Sequence, residues 1–573
     1  MKNWTISPPQ KEKSAELQSA LKINPLIAQI LVNRGLAVPA EAASFLSPKL
    51  AQLKDPFEIP NIEAAAKRVL LARERGEKVV VYGDYDVDGV SGTVILVHAL
   101  KFLGLDVSYY IPHRYGEGYG LSVDSVRKIA EAGAKLIVTV DCGISSVAEV
   151  AEANKLGLDV VVTDHHNLPD KLPAAFAIVN PKQIVGDHPS KHLAGAGVAF
   201  KFAWALLRAA GTNESAYLTS LLDLAALGTI SDVVPLTREN RIIAVGGLNL
   251  IGQRKRLGVK HLAEAASLSG KISVNHIYFG LAPRINAAGR LEHASKSVEL
   301  LLSDDPRQAG ELARELGRIN VRRQELGSSI KAAVFSSLTD AFVEENKLIL
   351  LSGRDWHPGV IGIVASQVVE AFARPTVLIG VSDGVGRGSA RSVEGLNIFG
   401  LLNTCRDLFV NFGGHEGAAG FEIVAENIPV FRDRLKAEVD ERIKPEDLVP
   451  KIEIDAELLP AQISLNLIKS LDVLAPHGEG NPAPSFMMCG LSLSDFKKVG
   501  KTGKHLKAWF NKDGIDLEAI GFGMGDLNSP HLSVGNYYDI AFNLESNEYN
   551  GFEKAQLSLI DIKENNSSPG PFS

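Results

Sequence analysis

Only three cysteines, Cys142, Cys405 and Cys489, occur in 573 residues, and they stand far apart. That number and spacing exclude a disulfide framework and a zinc cluster of local ligands, and they fit a reducing compartment. No apolar run reaches the roughly 18 residues that a membrane-spanning helix needs. The start, Met1-Lys2-Asn3-Trp4-Thr5, lacks a charged segment leading into an apolar core. A cytoplasmic protein with no membrane partner is therefore expected. An excess of positive charge is also missing, since 60 Lys and Arg against 67 Asp and Glu give a net charge of −7. A polyanion binder usually carries a basic footprint. A bulk sum hides local patches, however, and acidic residues gathered around cations would mask a basic groove elsewhere.

What the chain has is length and a globular composition, 45% hydrophobic and 22% charged. Three or four domains with separate cores are expected. Across residues 78–180, apolar β-branched runs alternate with helical patterns, which is the signature of βαβ units and a parallel sheet. Residues 78–82 lead into GDYDVDG, 107–111 form a second run, 136–140 end at Asp141, and 160–163 end at Asp164-His165-His166. Ligands of open parallel sheets bind outside the carboxyl ends of the strands, and three of these four runs place Asp or His there. Oxygen ligands suit Mg²⁺ and Mn²⁺, an imidazole tips the balance toward Mn²⁺, and two such ions about 4 Å apart can clamp the attacking and leaving oxygens of a phosphoryl transfer. Asp84, Asp86 and Asp88 alternate along one short loop, so not all three point one way, and Asp86 and Asp88 are the expected ligands. The competing structural reading is that a strand-end Asp caps a helix and that Asp88-Gly89 makes a turn. Three such motifs on successive strands outweigh it. Cys142 beside Asp141 reads as a packed small residue.

The three motifs resemble the first three motifs of the DHH phosphoesterases, and Ser231-Asp232-Val233-Val234-Pro235-Leu236 stands where that family has its fourth. RINAAGR at 284–290, HPGVIGIVAS at 357–366, GRGSARS at 386–392 and GGHEGAAG at 413–420 resemble the RecJ-type exonucleases within that family, so the resemblance covers essentially the whole chain. It implies two divalent ions, Mn²⁺ or Mg²⁺, on Asp86, Asp88, Asp141, His165 and Asp232, with Asp141 bridging. His166 would stand beside them, contacting phosphate or orienting a ligand. Many relatives have a histidine four residues before the first ligand aspartate, where this chain has Tyr82, and Asp84 is expected to compensate. The implied fold class is α/β: a parallel-sheet DHH catalytic domain (59–302) after an N-terminal helical extension (1–58), a linking helix (303–338), an α/β DHHA1 domain (339–448), a C-terminal β OB-fold domain (449–563) and a disordered tail (564–573).

In the second half, Asp305-Pro306-Arg307-Gln308 opens a long helical pattern with Asp at the cap and Pro in the first turn. Arg318, Arg322 and Arg323 on it either track phosphates or form a solvated face. Gly384, Gly386 and Gly388 would let the backbone approach a phosphate, with Ser389 and Arg391 supplying a hydroxyl and a bidentate guanidinium. In RecJ-like enzymes this segment is expected to hold a 5′-terminal phosphate, with Arg114 as a further contact. Arg284, Arg290 and His357 of the neighbouring motifs join the expected substrate contacts. His415 either faces the metals, as a catalytic residue with Asp84 and His166, or caps a glycine-rich turn. Lys498, Lys501 and Lys504 lie in a lysine-rich run interleaved with Phe496, Trp509 and Phe510, which fits a groove that attracts phosphates and stacks bases.

The expected activity is therefore single-stranded-DNA-specific 5′-to-3′ exonucleolysis in repair and recombination, with water activated on metal as the nucleophile. The direction is implied by the resemblance alone, as are a single-stranded-DNA-binding protein and a helicase as partners. A monomer is the default. Oligoribonucleotides, cyclic dinucleotides or pyrophosphate as substrates, and a non-catalytic strand-binding scaffold, are the rival readings.

Overall fold

The structure is a computed structural model that describes residues 2–212, 215–525, 532–549 and 552–565. Most of the tail expected at 564–573 lies outside the described residues. The chain forms two compact units, one of residues 53–234 and 243–449, the other of residues 1–52, 235–242 and 450–573.

The first unit holds the expected parallel sheet. Five strands run in the order Val107–Tyr110, Val79–Gly83, Leu136–Val140, Asp159–Thr163, Ala177–Val179, all parallel. Val79–Gly83 and Leu136–Val140 are buried along their whole length, which is why they read as continuous apolar runs and not as alternating ones. The order matters for function, because the three strands that end in acidic or histidine motifs are neighbours and Asp141 ends the middle one. The helix Val87–Phe102 that follows the first motif is apolar on nearly every side and buried accordingly. It packs on the helices Gly195–Ala209 and Leu222–Ser231.

The helix Pro306–Ser337 starts as the sequence announces, with the Asp305 carboxylate accepting the Arg307 N–H at 2.8 Å. Beyond it a mixed five-stranded sheet has the order Phe409–His415, Ala418–Val424, Val385–Arg391, Thr376–Ser382, Ile349–Arg354. The helix Pro358–Phe372 lies against its strands Thr376–Ser382 and Val385–Arg391.

In the second unit, five strands close into a barrel: Phe486–Val499, His505–Lys512, Ile515–Gly521, Phe552–Glu564, Tyr537–Tyr549, and back to Phe486–Val499. This is the strand order of an OB-fold. Its core is shared with the N-terminal helices through Leu17, Ile30, Leu31 and Phe45. The guanidinium of Arg241, 1% exposed, donates to the carbonyls of Phe45, Leu474, Ala475 and Pro476. These bonds tie distant parts of the chain into one unit. Along His505–Lys512 the side chains alternate, so that Leu506, Ala508 and Phe510 enter the core while Trp509 faces outward between Lys497 and Lys507, each 5.3 Å from its ring. Of the three aromatic residues expected among the lysines, Phe510 is thus a core residue and Phe496 packs against that core. Only Trp509 stands on the lysine-bearing face. Lys498, Lys501 and Lys504 are exposed around the adjoining hairpin turn. No helix among the described residues is long and apolar enough to cross a membrane.

Candidate active site

Each strand end delivers its side chains through a turn that the sequence specifies locally. Asp86 is the N-cap of the helix Val87–Phe102, its Oδ1 accepting from the Asp88 and Gly89 N–H groups at 2.9 and 3.1 Å. Asp141 sits at φ 60°, a left-handed conformation that non-glycine residues adopt at a cost and that recurs at functional sites. Asp232 is the C-cap of the helix Leu222–Ser231.

The ligand atoms converge in three triplets, Asp84–Asp86–Asp141, Asp88–His165–Asp232 and Asp141–His165–His166, each within 4.8 Å. His165 Nε2 is 3.1 Å from Asp141 Oδ1, 3.6 Å from Asp232 Oδ2 and 3.9 Å from Asp88 Oδ2. Asp141 thus belongs to groups on both sides, as its central strand requires. Asp84 stands with the metal-ligand candidates and points into the cluster. Tyr82 does not, because its buried hydroxyl donates to the Gly120 carbonyl at 2.8 Å.

The electrostatics are those of a site built for cations. Burial first, and the neighbouring carboxylates second, push Asp84 and Asp141 well above the usual carboxylate range, Asp88 to about 7 and Asp232 to about 9. Burial likewise lowers His165 to about 3. Asp84 Oδ1, Asp141 Oδ1, Asp232 Oδ2 and His165 Nε2 are buried without a hydrogen-bond partner. Four such atoms facing one another are costly unless a cation joins them. An oxygen-rich set with one imidazole fits Mg²⁺ or Mn²⁺.

Several supporting residues escaped the sequence reading. Asp164 accepts from the Ile144 N–H at 3.0 Å, the His165 N–H at 2.7 Å and His166 Nδ1 at 2.7 Å. Burial raises its pKa, but these bonds prevail and hold it below the ordinary value. For His166, burial works downward while the bond to Asp164 wins and raises it. The buried Asn180 donates to the His166 carbonyl at 3.0 Å, and Asn286 accepts the Val87 N–H at 3.1 Å. The Gly195 and Ala196 N–H groups bind the two oxygens of Asp88 at 2.6 and 2.9 Å. Such outer bonds fix the tautomer and orientation of metal ligands. The signal was present in small residues at a helix start, Gly195-Ala196-Gly197, which permit close backbone approach. A Cβ at Gly195 would lie 2.7 Å from Asp141 Cβ. Gly195→Ala is therefore expected to weaken Mn²⁺ binding about tenfold or more, read by calorimetric titration at unchanged circular dichroism. Unchanged affinity would show that Asp141 can shift freely.

The second cluster is cationic. Ser389 and Arg391 project from the strand Val385–Arg391 toward Gly362 in the helix Pro358–Phe372. A Cβ at Gly362 would lie 2.8 Å from Ser389 Oγ and 2.7 Å from Arg391 Nη2. Arg290 donates to the Gly359 carbonyl at 3.1 Å, and the Tyr115 hydroxyl donates to the Arg290 carbonyl at 3.1 Å. Arg114 lies 4.7 Å over the Tyr85 ring. Burial, then the like charge of Arg114, lowers both Arg290 and Arg391 to about 10. Among the described residues, none of these three arginines has a carboxylate partner in an ion pair.

Other expected contacts have different duties here. GRGSARS lies in the strand Val385–Arg391 and not in a loop, with the buried Gly386 and Gly388 alternating with Arg387, Ser389 and Arg391. Gly388 faces the core, where a Cβ would lie 2.0 Å from Phe421 Cζ. Gly388→Ala is accordingly expected to cost about 1–3 kcal/mol, seen as a lower urea midpoint, while KM stays unchanged. A raised KM at full stability would restore the phosphate role. Arg284 spends its guanidinium on the carbonyls of Gly280 and Ala265, at 2.7 and 3.1 Å. His357 caps the helix Pro358–Phe372 by accepting the Gly359 N–H at 3.1 Å. His415 caps its turn, accepting the Gly417 N–H at 3.2 Å, and shares a sheet face with Arg391 through the register His415–Ala418–Arg391.

Comparison with known proteins follows the same division. Models of the DHH family N-terminal domain, the DHHA1 domain and the RecJ OB domain match residues 78–229, 345–441 and 454–561. A single-stranded-DNA-specific exonuclease RecJ of Haemophilus influenzae is 36% identical over 97% of this chain and 98% of its own. The chain belongs to the RecJ family. Bacillus subtilis RecJ is 39% identical over 97% of this RecJ-family chain and 70% of its own length. The crystal structure of Thermus thermophilus RecJ with Mn²⁺ superposes with a TM-score of 0.85 at 32% identity, covering 100% of this chain and 81% of that one. A second RecJ structure, bound to manganese, covers 70% of this chain and 98% of its own, with a TM-score of 0.61 at 38% identity.

Proposed function

We propose that this RecJ-family chain hydrolyses single-stranded DNA from its 5′ end, releasing 5′-mononucleotides, with two Mn²⁺ or Mg²⁺ ions as cofactors. The observation that carries the reading is the buried group of unpartnered ligand atoms that share Asp141. Asp84, Asp86 and Asp141 would hold one ion, and Asp88, His165 and Asp232 the other, with Asp141 common to both. When bound, the ions supply Lewis acidity and activate water as a nucleophile at neutral pH. His166 is the more exposed of the two histidines, its side chain 45% accessible against 12% for His165. Held by Asp164, it is placed to donate a hydrogen bond to a phosphoryl oxygen. Arg114, Arg290, Ser389 and Arg391, gathered at the start of the helix Pro358–Phe372, would bind the 5′-terminal phosphate, since a helix N-terminus and unpaired guanidinium groups both favour an anion. That contact gives the enzyme its polarity. Lys498, Lys501, Lys504 and Trp509 on the barrel would attract phosphates and stack a base of the strand.

The rival substrates and the scaffold are not favoured, because similarity to named exonucleases spans the chain and the ligand cluster is intact. Action in the cytoplasm, from the scattered cysteines, and as a monomer by default belongs to the proposal, as do a single-stranded-DNA-binding protein and a helicase on the sequence resemblance. The test is a time course with Mn²⁺ on a 3′-labelled single strand carrying a 5′ phosphate, beside the blunt duplex. Stepwise shortening from the 5′ end of the single strand alone is expected. Cleavage of short diribonucleotides with the long strand left intact would overturn the reading.

A further inference from the structure

Tyr119 is a large aromatic residue left 52% exposed beside a buried ionic cluster. Its hydroxyl donates to the Asp141 carbonyl at 2.9 Å and lies 3.2 Å from His166 Nδ1. The ring meets that of His166 edge to face, with centroids 5.7 Å apart. The polar end is therefore pinned to the carbonyl of the central ligand while the rest of the ring faces outward. Gly118 and Gly120 flank it at φ 84° and 76°, left-handed conformations that a side chain would strain. The loop behind it is fastened in two places. Tyr82 donates to the Gly120 carbonyl, accepts from Ser125 Oγ at 3.3 Å and stacks on Tyr110 at 5.2 Å. Glu117 accepts the His113 N–H at 2.7 Å and the Tyr110 hydroxyl at 2.5 Å. Tyr82 thus supplies an anchor for the loop carrying Tyr119.

We infer that Tyr119 is a stacking platform for the base of the nucleotide next to the scissile bond, held in place by Tyr82 and the Asp141 carbonyl. This rests on the exonuclease reading above and names a contact within that site. A ring immobilised before the strand arrives loses little freedom on binding. Every base offers a π face, so such a contact is indifferent to sequence, as a nuclease that digests any strand requires. It also favours an unpaired base, since a base inside a duplex is covered on both faces and a terminal one is covered on its inner face and held by its partner strand. Tyr119 would thereby contribute to single-strand selectivity at the site of chemistry, apart from any width restriction along the path.

The experiment places 2-aminopurine or an abasic residue, in turn, at each of the first three positions of a 5′-phosphorylated oligomer. In the wild type, 2-aminopurine at one of these positions should be quenched on binding without metal. An abasic residue there should raise KM with Mn²⁺ about tenfold or more. Tyr119→Ala should abolish the quenching and raise KM on the intact strand by a similar factor, with no further penalty from the abasic residue. Tyr119→Trp should keep both responses, which a purely structural role for the hydroxyl would not allow. Wild-type indifference to an abasic residue at all three positions overturns the inference, as does an abasic penalty that survives in Tyr119→Ala. A wild type that cuts nothing defeats the exonuclease reading, and the quenching then decides the stacking contact by itself.

Discussion

Asp141→Asn should lose activity by about a thousandfold or more and at the same time make the metal-free protein more stable at pH 8. Both effects come from one fact, that Asp141 lies in two ligand triplets and is buried among Asp84, Asp86, Asp88 and Asp232. Removing its charge takes an oxygen anion from each metal position, so neither ion keeps its ligand set. It also relieves repulsion in a desolvated group of carboxylates. The direction with pH follows from linkage. Asp88 and Asp232 have folded-state values of about 7 and 9, above the ordinary 3.8. The native metal-free protein therefore holds protons that the unfolded chain releases, and its stability falls as pH rises from about 4 to about 9. Metal displaces those protons, so Mn²⁺ affinity should climb across the same window. Thermal melts at pH 5 and pH 8, with EDTA and with Mn²⁺, separate the contributions. The wild type should lose several degrees on going to pH 8 in EDTA and regain them with Mn²⁺, whereas Asp141→Asn should lose less and regain little. A variant that melts lower than the wild type at pH 8 in EDTA would mean that Asp141 is a structural residue whose charge is satisfied within the protein.

The sequence made the catalytic sheet legible because its central strands are largely buried and run into acidic or histidine motifs, so period and chemistry changed together at Gly83, Val140 and Thr163. The residues that converge in the three triplets were legible for the same reason. Asp84 was harder to place, because alternation along a loop predicts only that neighbours point apart and does not say which residue a helix cap will turn inward. Asp86 proved to be both cap and ligand candidate, so the structural and functional readings of a strand-end Asp are not exclusive. Glycines were the least legible. Gly388 and Gly195 look alike in sequence, yet one makes room for the Phe421 ring and the other for Asp141. Which neighbour presses on a glycine depends on contacts about 30 and 50 residues away along the chain, and no local pattern records it. Arg284 and Arg290 likewise belong to one motif on one helix. Six residues apart, they face different surroundings, the first capping the carbonyls of Ala265 and Gly280 and the second standing among other arginines.

Arg391→Ala should erase discrimination between a 5′-phosphorylated and a 5′-hydroxyl strand. In the wild type the phosphorylated end should have the lower KM by about 10- to 100-fold, the range expected for hydrogen bonds to a charged group. The basis is that Arg391 is half-buried, donates among the described residues only to Ser389 Oγ and its neighbour's carbonyl, at 3.0 and 2.7 Å, and feels the like charge of Arg114. A guanidinium desolvated beside other cations without a carboxylate is destabilising by itself, and an incoming phosphate offsets that cost. Two consequences separate this from a structural role. First, Arg391→Ala should not lower the melting temperature in the absence of DNA, because it removes a partly desolvated charge that has no carboxylate partner among the described residues and is crowded by Arg114. Second, Arg391→Lys should recover only part of the preference, since an ammonium cannot reproduce the planar fork that reaches Ser389 and a phosphate together. The kcat on a 5′-hydroxyl strand should be nearly the same in all three proteins, because the ligand cluster around Asp141 is untouched. A wild type that degrades both ends with equal KM would remove the terminal phosphate from this cluster and leave the arginines to contact internal phosphates, in which case Arg391→Ala would raise KM for both substrates alike.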